Sequence, residues 1–360
     1  MKKKRRLKKK PIIILVVCLV FIVGLTMFVN SFRAVSKESV PVLIEVTEGQ
    51  NYYSLASTLK EKGLIRSTFS YKLYLKTQNL SPLKKGNYHL NKNMDLKTLL
   101  HSLAGDEKFN TGEIDILFKE GKNMRQIAKI IADNTNHTEE EVFSLLRDET
   151  YLNSLIQTYW FLTDEIKNPS IYYSLEGYLL PDTYRFASMD VEVKDIFKKM
   201  LDNMDKKLAP YQQQIEASPY SFHQLLTVAS MAELEASTVS DRAAVARVFY
   251  NRFNSKMALG SDVTTYYGAK INLGERDLYM KEIQEANAYN TRSVKSAGKL
   301  PVGPISNPGI ATIAACINPP ANNYYYFVAD KNKKVYFNVT SKQHDATIAD
   351  LKKKGLWFTW

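Results

Sequence analysis

Phe222-His223-Gln224-Leu225-Leu226-Thr227-Val228-Ala229-Ser230-Met231-Ala232-Glu233-Leu234-Glu235-Ala236 is the stretch on which the reading of this chain turns. Pro219 and Ser221 stand just before it, in helix-opening positions. At about 100° per residue, Leu225, Val228, Ala229, Ala232 and Ala236 share one apolar face. Glu233 falls at the edge of that face, between the directions of Leu226 and Ala229. Glu235, two residues on, points about 200° away. A carboxylate beside small apolar residues is poorly solvated, which favours its protonated form. A carboxyl that keeps its proton near neutral pH is what a general acid requires. A solvated glutamate at a helix edge is the plainer reading, and the rest of the chain has to decide between the two.

Composition narrows the classes. The chain has 360 residues, enough for two or three domains, and its 45% hydrophobic content permits a sizeable core. The net charge of +12 would suggest nucleic acid, but Lys2, Lys3, Lys4, Arg5, Arg6, Lys8, Lys9 and Lys10 carry eight of those charges, which leaves +4 for everything else. No nucleic-acid-binding domain is described by that balance. Directly after the basic tail, Ile12–Val29 runs for 18 residues without a charge. As a helix it spans about 27 Å, close to the roughly 30 Å hydrocarbon core of a bilayer. The basic side stays in the cytoplasm, so the remainder is expected outside. A cleaved signal peptide is the rival reading. Its apolar region is normally shorter, and only Ala34-Val35-Ser36 resembles a cleavage site. An uncleaved anchor is therefore favoured, with a tail suited to anionic lipid. The two cysteines, Cys18 in the span and Cys316 far from it, form no sensible bridge. The five histidines are scattered without paired Cys/His spacing, so neither a metal nor a cofactor is expected.

The region after the anchor repeats itself. Ile44-Glu45-Val46-Thr47-Glu48-Gly49-Gln50-Asn51 leads into Leu55-Ala56-Ser57-Thr58-Leu59, and 72 residues later Ile116-Leu117-Phe118-Lys119-Glu120-Gly121-Lys122-Asn123 leads into Ile127-Ala128-Lys129-Ile130-Ile131. Each unit reads as a strand, a turn at glycine and an amphipathic helix. The first continues through a helix at Phe69–Lys76, a strand at Tyr88–Leu90 and a helix at Leu96–Leu103. The second closes at Tyr184-Arg185-Phe186 with Val193–Met204 as its last helix. Such strand–helix–helix–strand units resemble LysM modules, which bind N-acetylglucosamine polymers. Spacers or partner surfaces remain the alternative.

Beyond Ala236, Ser240-Asp241-Arg242 is expected to cap a second helix through Ala243–Phe253. Ile310–Ile317 reads as a short helix stopped by Asn318-Pro319-Pro320, and Tyr324–Ala329 and Val335–Val339 as a hairpin. Gly- and Pro-rich loops around polar and aromatic side chains suggest a built site. The ordered set Leu175-Glu176-Gly177-Tyr178-Leu179-x-Pro181-Asp182-Thr183-Tyr184, Ala229-Ser230-x-x-Glu233-x-Glu235, Asp262-x-Thr264, Tyr289-Asn290-Thr291, Leu300-Pro301-x-Gly303-Pro304-Ile305, Asn307-Pro308-Gly309 and Tyr326-Phe327-Val328-Ala329 resembles the YceG-like (MltG) family of endolytic murein transglycosylases. The resemblance covers Val42 to the C-terminus.

That resemblance implies a cut inside peptidoglycan strands that breaks the MurNAc–GlcNAc bond without water and leaves a 1,6-anhydro-MurNAc end. Its catalytic glutamate maps to Glu233. One carboxyl suffices for such chemistry, whereas hydrolases pair two and use water. Expected substrate contacts are Glu235, Asp262, Thr264, Tyr289 and Asn290, with Tyr266 and Tyr184 stacking on sugar faces. Glu176 reads as a structural acid. Gly303, Gly309 and the prolines read as loop-shaping, and His344 as surface or structural. Partners would be glycan strands, membrane lipid through residues 1–30, and cell-wall elongation synthases.

The expected architecture is α+β. It comprises a tail (1–10), a transmembrane helix (11–30), a linker (31–41), LysM-like units (42–108 and 113–205) and a mixed α/β catalytic domain (206–360). Lys, Tyr and Asn richness without an outer-membrane feature suggests a Gram-positive source. Two other classes stay open. A membrane-anchored glycan-binding scaffold would need only the anchor and the repeats. Ser296-Ala297-Gly298-Lys299 matches the S-x-x-K of serine acyltransferases, but no S-D-N or K-T-G partner occurs.

Overall fold

The computed structural model of the chain describes residues 23–38, 40–105 and 114–357. It is a mixed α+β structure in which, among the described residues, the strands form three two-stranded sheets. Among the described residues no helix is long and apolar enough to cross a membrane. The basic tail and most of the expected span Ile12–Val29 lie outside those residues. Its end, 23–30, is helical.

The chain divides into two compact units. The smaller contains the described residues up to Ile114, with 133–136 and 185–191. Strand β1 (Pro41–Val46) and β2 (Gly86–Asn91) pair antiparallel, from Pro41 opposite Asn91 to Val46 opposite Gly86. Between them lie α1 (Leu55–Glu61) and α2 (Thr68–Leu75), and α3 (Leu96–Leu103) follows. Alternation along β1 puts Ile44 and Val46 inward, where they meet Leu55, Leu59, Tyr71, Leu99 and Leu100 in one core. The caps are local chemistry: Ser67 accepts from Ser70 N, and Asp95 from Thr98 N. The segment expected as a linker is folded onto this unit instead. Arg66 Nη2 donates to Ala34 O (2.9 Å) and Val35 O (3.0 Å), and Ser36 N to Lys92 O (2.9 Å).

The larger unit takes up 115–132, 137–184 and the chain from Glu192 onward. Most of the second repeat therefore shares a compact unit with the C-terminal region, and the boundary expected near residue 205 does not separate units. Strand β3 (Ile114–Leu117) pairs with β4 (Thr183–Phe186). The glycine turn of the repeat leads from β3 into α4 (Met124–Asn134). Gly49 and Gly121, the matched glycines, both sit at positive φ (85° and 75°), which is why the repeat keeps glycine there. Helices α5 (Glu139–Leu145), α6 (Glu149–Thr158), α7 (Val193–Leu208) and α8 (Gln212–Glu216) lead to the centre of the unit, where α9 (Phe222–Glu235), α10 (Val239–Asn254) and α13 (Ile310–Ile317) pack on one another. The short helices α11 (Asp262–Gly268) and α12 (Met280–Gln284) stand between α10 and α13 in sequence. Strands β5 (Tyr326–Ala329) and β6 (Val335–Asn338) form the expected hairpin, against α14 (Ser341–Lys353).

Ser221 and Gln224 close a reciprocal capping box at the start of α9. Every residue of α9 from Leu225 to Glu233 is buried, so it is a core helix surrounded on all sides. That replaces the one-faced helix expected from the spacing. Helix α10 starts earlier than expected: Thr238, not the Ser240–Arg242 group, is the cap, accepting from Asp241 N at 3.1 Å.

Candidate active site

Glu233 lies in the last turn of α9 and is 8% exposed. Its Oε1 is 2.7 Å from Arg242 Nη2 on α10. Its Oε2 accepts from Thr312 Oγ1 (2.6 Å) and from Gly309 N (3.2 Å), the latter at the start of α13. Arg242 is held in turn by Ala236 O (2.8 Å) and Thr312 Oγ1 (2.9 Å). Burial raises the Glu233 pKa above the ordinary carboxylate value, and the charge of Glu120 adds to that. Thr312, Arg242 and the Gly309 N–H act the other way, and the net direction is upward. The group is thus poised between two needs. Desolvation favours holding the proton, while Arg242 and the donors at the helix start favour the carboxylate left once it has gone.

The loop carrying Gly309 is tied to α9 by Ser230, whose Oγ accepts from Ile305 N (3.0 Å) and whose carbonyl accepts from Ser306 Oγ (3.0 Å). His223 bridges Tyr178 OH (2.8 Å) and Val302 O (2.9 Å). Asn307 is wholly buried. It exchanges backbone bonds with the second repeat: Gly121 N donates to Asn307 O and Asn307 N to Lys122 O, both at 2.8 Å. This bridge brings the Glu120–Asn123 turn to the site, and the Glu120 carboxyl lies over Gly309, where a Cβ would come within 1.8 Å of it. Sequence reasoning missed Glu120 because its match to Glu48 marked it as part of a repeat. The signal available was the closeness of two motifs, which only folding brings together.

Two open cavities meet at Glu233. One, about 360 Å³, is lined by Glu120, Lys122, Gln126, Tyr266, Leu273 and their neighbours. The other, about 430 Å³, is lined by Glu235, Ser237, Ala329, Asp330 and Lys333. Glu233, Leu234 and Arg242 line both.

Of the expected contacts, Tyr266 lines the first cavity and is partly exposed. Glu235 lines the second beside Glu233. The 200° separation does not keep it away, because α9 ends at Glu235 and the chain turns extended at Ala236. Ser261 Oγ donates to Glu235 Oε1 at 2.6 Å. The residue is partly exposed as a whole, yet its carboxyl is pushed up to about 7, by burial first and by Asp262 next.

Four other expected contacts are buried away from Glu233's cavities. Thr264 is fully buried and shares hydrogen bonds with Ser261 O and Thr291 Oγ1. Asn290 is buried against Thr265 and the carbonyls of Glu282, Ile283 and Glu285. Tyr289 is buried, packs on Tyr172 and Tyr267, and accepts from Tyr172 N. Tyr184 is buried against Phe118 and donates to Leu180 O. Each spends hydrogen bonds on the scaffold, and none lines either cavity at Glu233, although Tyr289 and Asn290 line a separate open cavity of about 360 Å³ with Ser293 and Lys299. Asp262 is exposed but ion-paired with Arg292 and lines neither cavity. Ser296 donates to Ser293 O and Lys299 is exposed, which gives no support to an acyltransferase site.

Glu176 is a buried brace. Its carboxyl accepts from Met124 N (2.9 Å), Tyr267 OH (2.8 Å) and Asn307 Nδ2 (3.2 Å), and burial pushes it up to about 7. A carboxyl raised on folding stabilises most below its unfolded value, and that contribution is lost as pH rises through about 7. Stability should therefore fall between pH 5 and 7.5, by up to about 3 kcal/mol from this group. Glu176→Gln should flatten the slope in urea melts across that range. Glu235, raised to the same region, leaves part of it.

Among the described residues no cluster of His, Cys, Asp and Glu is arranged to hold a metal ion. The YceG-like family model matches residues 44–350. An endolytic murein transglycosylase of Bacillus subtilis is 36% identical over 305 residues, covering 84% of this chain and 83% of that protein. One from Streptococcus pneumoniae is 31% identical over 322 residues, or 86% of this chain and 58% of the relative's length. The crystal structure of a yceG-like protein from Listeria monocytogenes superposes with a TM-score of 0.61 at 30% identity, over 86% of this chain and all of that one. With a family match over most of its length and a relative 36% identical across most of both chains, the chain belongs to the YceG-like family.

Proposed function

We propose that this protein is an endolytic murein transglycosylase, anchored by Ile12–Val29 with Ser31–Trp360 outside the cell membrane of a Gram-positive bacterium. The observation that carries the reading is the position of Glu233 where two open cavities meet. A glycan strand lying through both would extend past the glutamate on either side, as cleavage within a strand requires. The relatives named as endolytic murein transglycosylases support the same activity.

Glu233 in its acid form donates its proton to the glycosidic oxygen as the MurNAc–GlcNAc bond breaks. The carboxylate so formed is held by Arg242, Thr312 and Gly309 N. It then takes the proton of the MurNAc C6 hydroxyl, whose oxygen attacks the anomeric carbon and closes the 1,6-anhydro ring. The proton balance closes on one residue, so no second acid or base is needed. Tyr266 is positioned to stack on a sugar face. Glu235 is the second cavity's polar contact, and Thr264, Tyr289 and Asn290 act by holding the walls. The first repeat is suited to holding glycan, and elongation synthases would be the working neighbours.

Glu120 supplies a testable detail. Its charge opposes ionisation of Glu233. The rate should fall as pH rises through the raised Glu233 pKa, because the acid form is lost. In Glu120→Gln that falling limb should move to lower pH, by about one unit or less, with cleavage retained. Rates of anhydro-muropeptide release from sacculi across pH measure it. An unmoved limb would remove Glu120 from the mechanism while leaving Glu233 in place.

A further inference from the structure

We infer that the face of α2 bearing Phe69 and Leu73 rests in the interfacial layer of the membrane, beside the point where the anchor emerges. The inference rests on the reading that Ile12–Val29 spans the bilayer. It starts from the junction. Residues 23–30 are helical, and immediately past them Ser31 Oγ lies 2.6 Å from Ser70 Oγ of α2. Phe32 packs edge-on against Phe28 (5.0 Å) and Tyr74 (5.9 Å), and its carbonyl accepts from Leu96 N at 3.1 Å. With Arg66 gripping Ala34 and Val35, the chain leaves the expected span with no slack. A helix held two residues past the end of the expected span cannot stand away from the headgroups.

What α2 offers there is unusual for a water-facing surface. Phe69 is 68% exposed and Leu73 40% exposed. They are four residues apart and so share a face, with exposed Lys72 and Lys76 flanking them. That face adjoins the Ser70–Tyr74 side that holds the anchor segment, about 100° round the helix. Two apolar side chains between lysines fit a bilayer interface: the rings enter the acyl boundary while the ammonium groups reach anionic headgroups. Arg33 and Lys37, both exposed in the docked segment, add positive charge; exposed Glu38 subtracts one. Continuity with an apolar helix and a matching charge pattern both select lipid as the occupant over a second protein. The consequence is that the smaller unit is fixed at the membrane surface and not carried on a tether.

Single nitroxide labels in the full-length protein test this, in vesicles of phosphatidylglycerol and phosphatidylcholine, with Cys18→Ser and Cys316→Ala and retained sacculus cleavage as the check on folding. Labels replace Val23, Phe69, Leu73 and, in the exposed turn that follows β1, Glu48. Collision with oxygen against an aqueous nickel chelate reports depth. The expected result is oxygen-dominated relaxation at 23, 69 and 73, and nickel-dominated relaxation at 48. Oxygen dominance at 23 with nickel dominance at 69 and 73 would overturn the docking and leave the anchor intact. Nickel dominance at 23 would overturn the anchor, and the docking with it.

Discussion

Glu233→Gln should lose at least about 10²–10⁴-fold in the rate of glycan cleavage, the usual worth of general acid–base catalysis. The amide fills the same space and can still accept from Thr312 and Gly309 N, but it cannot give and recover a proton. Burial changes one expectation drawn from the sequence. An exposed edge residue would leave the melting temperature almost unaltered, whereas Glu233 is 8% exposed and ion-paired with Arg242. Its neutral replacement leaves a largely buried guanidinium without its anion, and a cost of about 1–3 kcal/mol is expected. Rates should therefore be compared at a temperature where circular dichroism shows both forms folded. Glu235→Gln keeps the bond from Ser261 within reach and should retain far more activity. Equal losses in the two variants would mean that the pair, and not Glu233 alone, carries the proton.

Gly177→Ala is expected to be the most destabilising small substitution in the larger unit. Gly177 has φ of +88°, and a Cβ there would lie 2.5 Å from Pro304 Cβ and 2.7 Å from its Cγ. The proline ring cannot swing aside, and Leu226 Cδ2, at 3.3 Å, blocks the nearby way out. Left-handed strain costs about 1–3 kcal/mol, and overpacking a similar amount, so about 3–5 kcal/mol is expected together. Because Glu176 precedes it and Pro304 belongs to the loop that leads to Gly309, activity should fall with stability. Gly309→Ala is the contrast. Its φ is an ordinary −71°, and the three atoms nearest the new methyl all belong to the movable side chain of Glu120. It should cost about 1 kcal/mol or less and shift the pH profile as Glu120→Gln does. Urea denaturation of both variants separates the two outcomes.

What could be read from the sequence was local or periodic. The Ser221 cap, helix α9, the limits of Ile310–Ile317 and the hairpin all follow from spacing and turn chemistry between near neighbours. The repeat was legible as well, down to the glycines that need positive φ. Contacts far apart in sequence were not legible. Asn307 meeting Lys122, and Glu120 lying over Gly309, depend on how two motifs fold against each other. The same distance explains why ligand-facing and scaffold roles could not be separated. Threonine, tyrosine and asparagine in a loop motif serve a ligand or a scaffold equally well by composition. Thr264, Tyr289, Asn290 and Tyr184 prove to spend their hydrogen bonds on the protein. The end of α9 also mattered, since a helical wheel continued through Glu235 turned it away from a cavity that it lines.

The origin of the new bond to the anomeric carbon separates a transglycosylase from a hydrolase. Purified sacculi digested by the full-length protein in ¹⁸O-labelled water, with the muropeptides resolved by mass spectrometry, give the answer in one measurement. The account predicts ends that are 1,6-anhydro-MurNAc, lighter than reducing ends by one water and free of the label, and their disappearance with Glu233→Gln. Reducing MurNAc ends carrying ¹⁸O would contradict it, because water would then have attacked in place of the C6 hydroxyl.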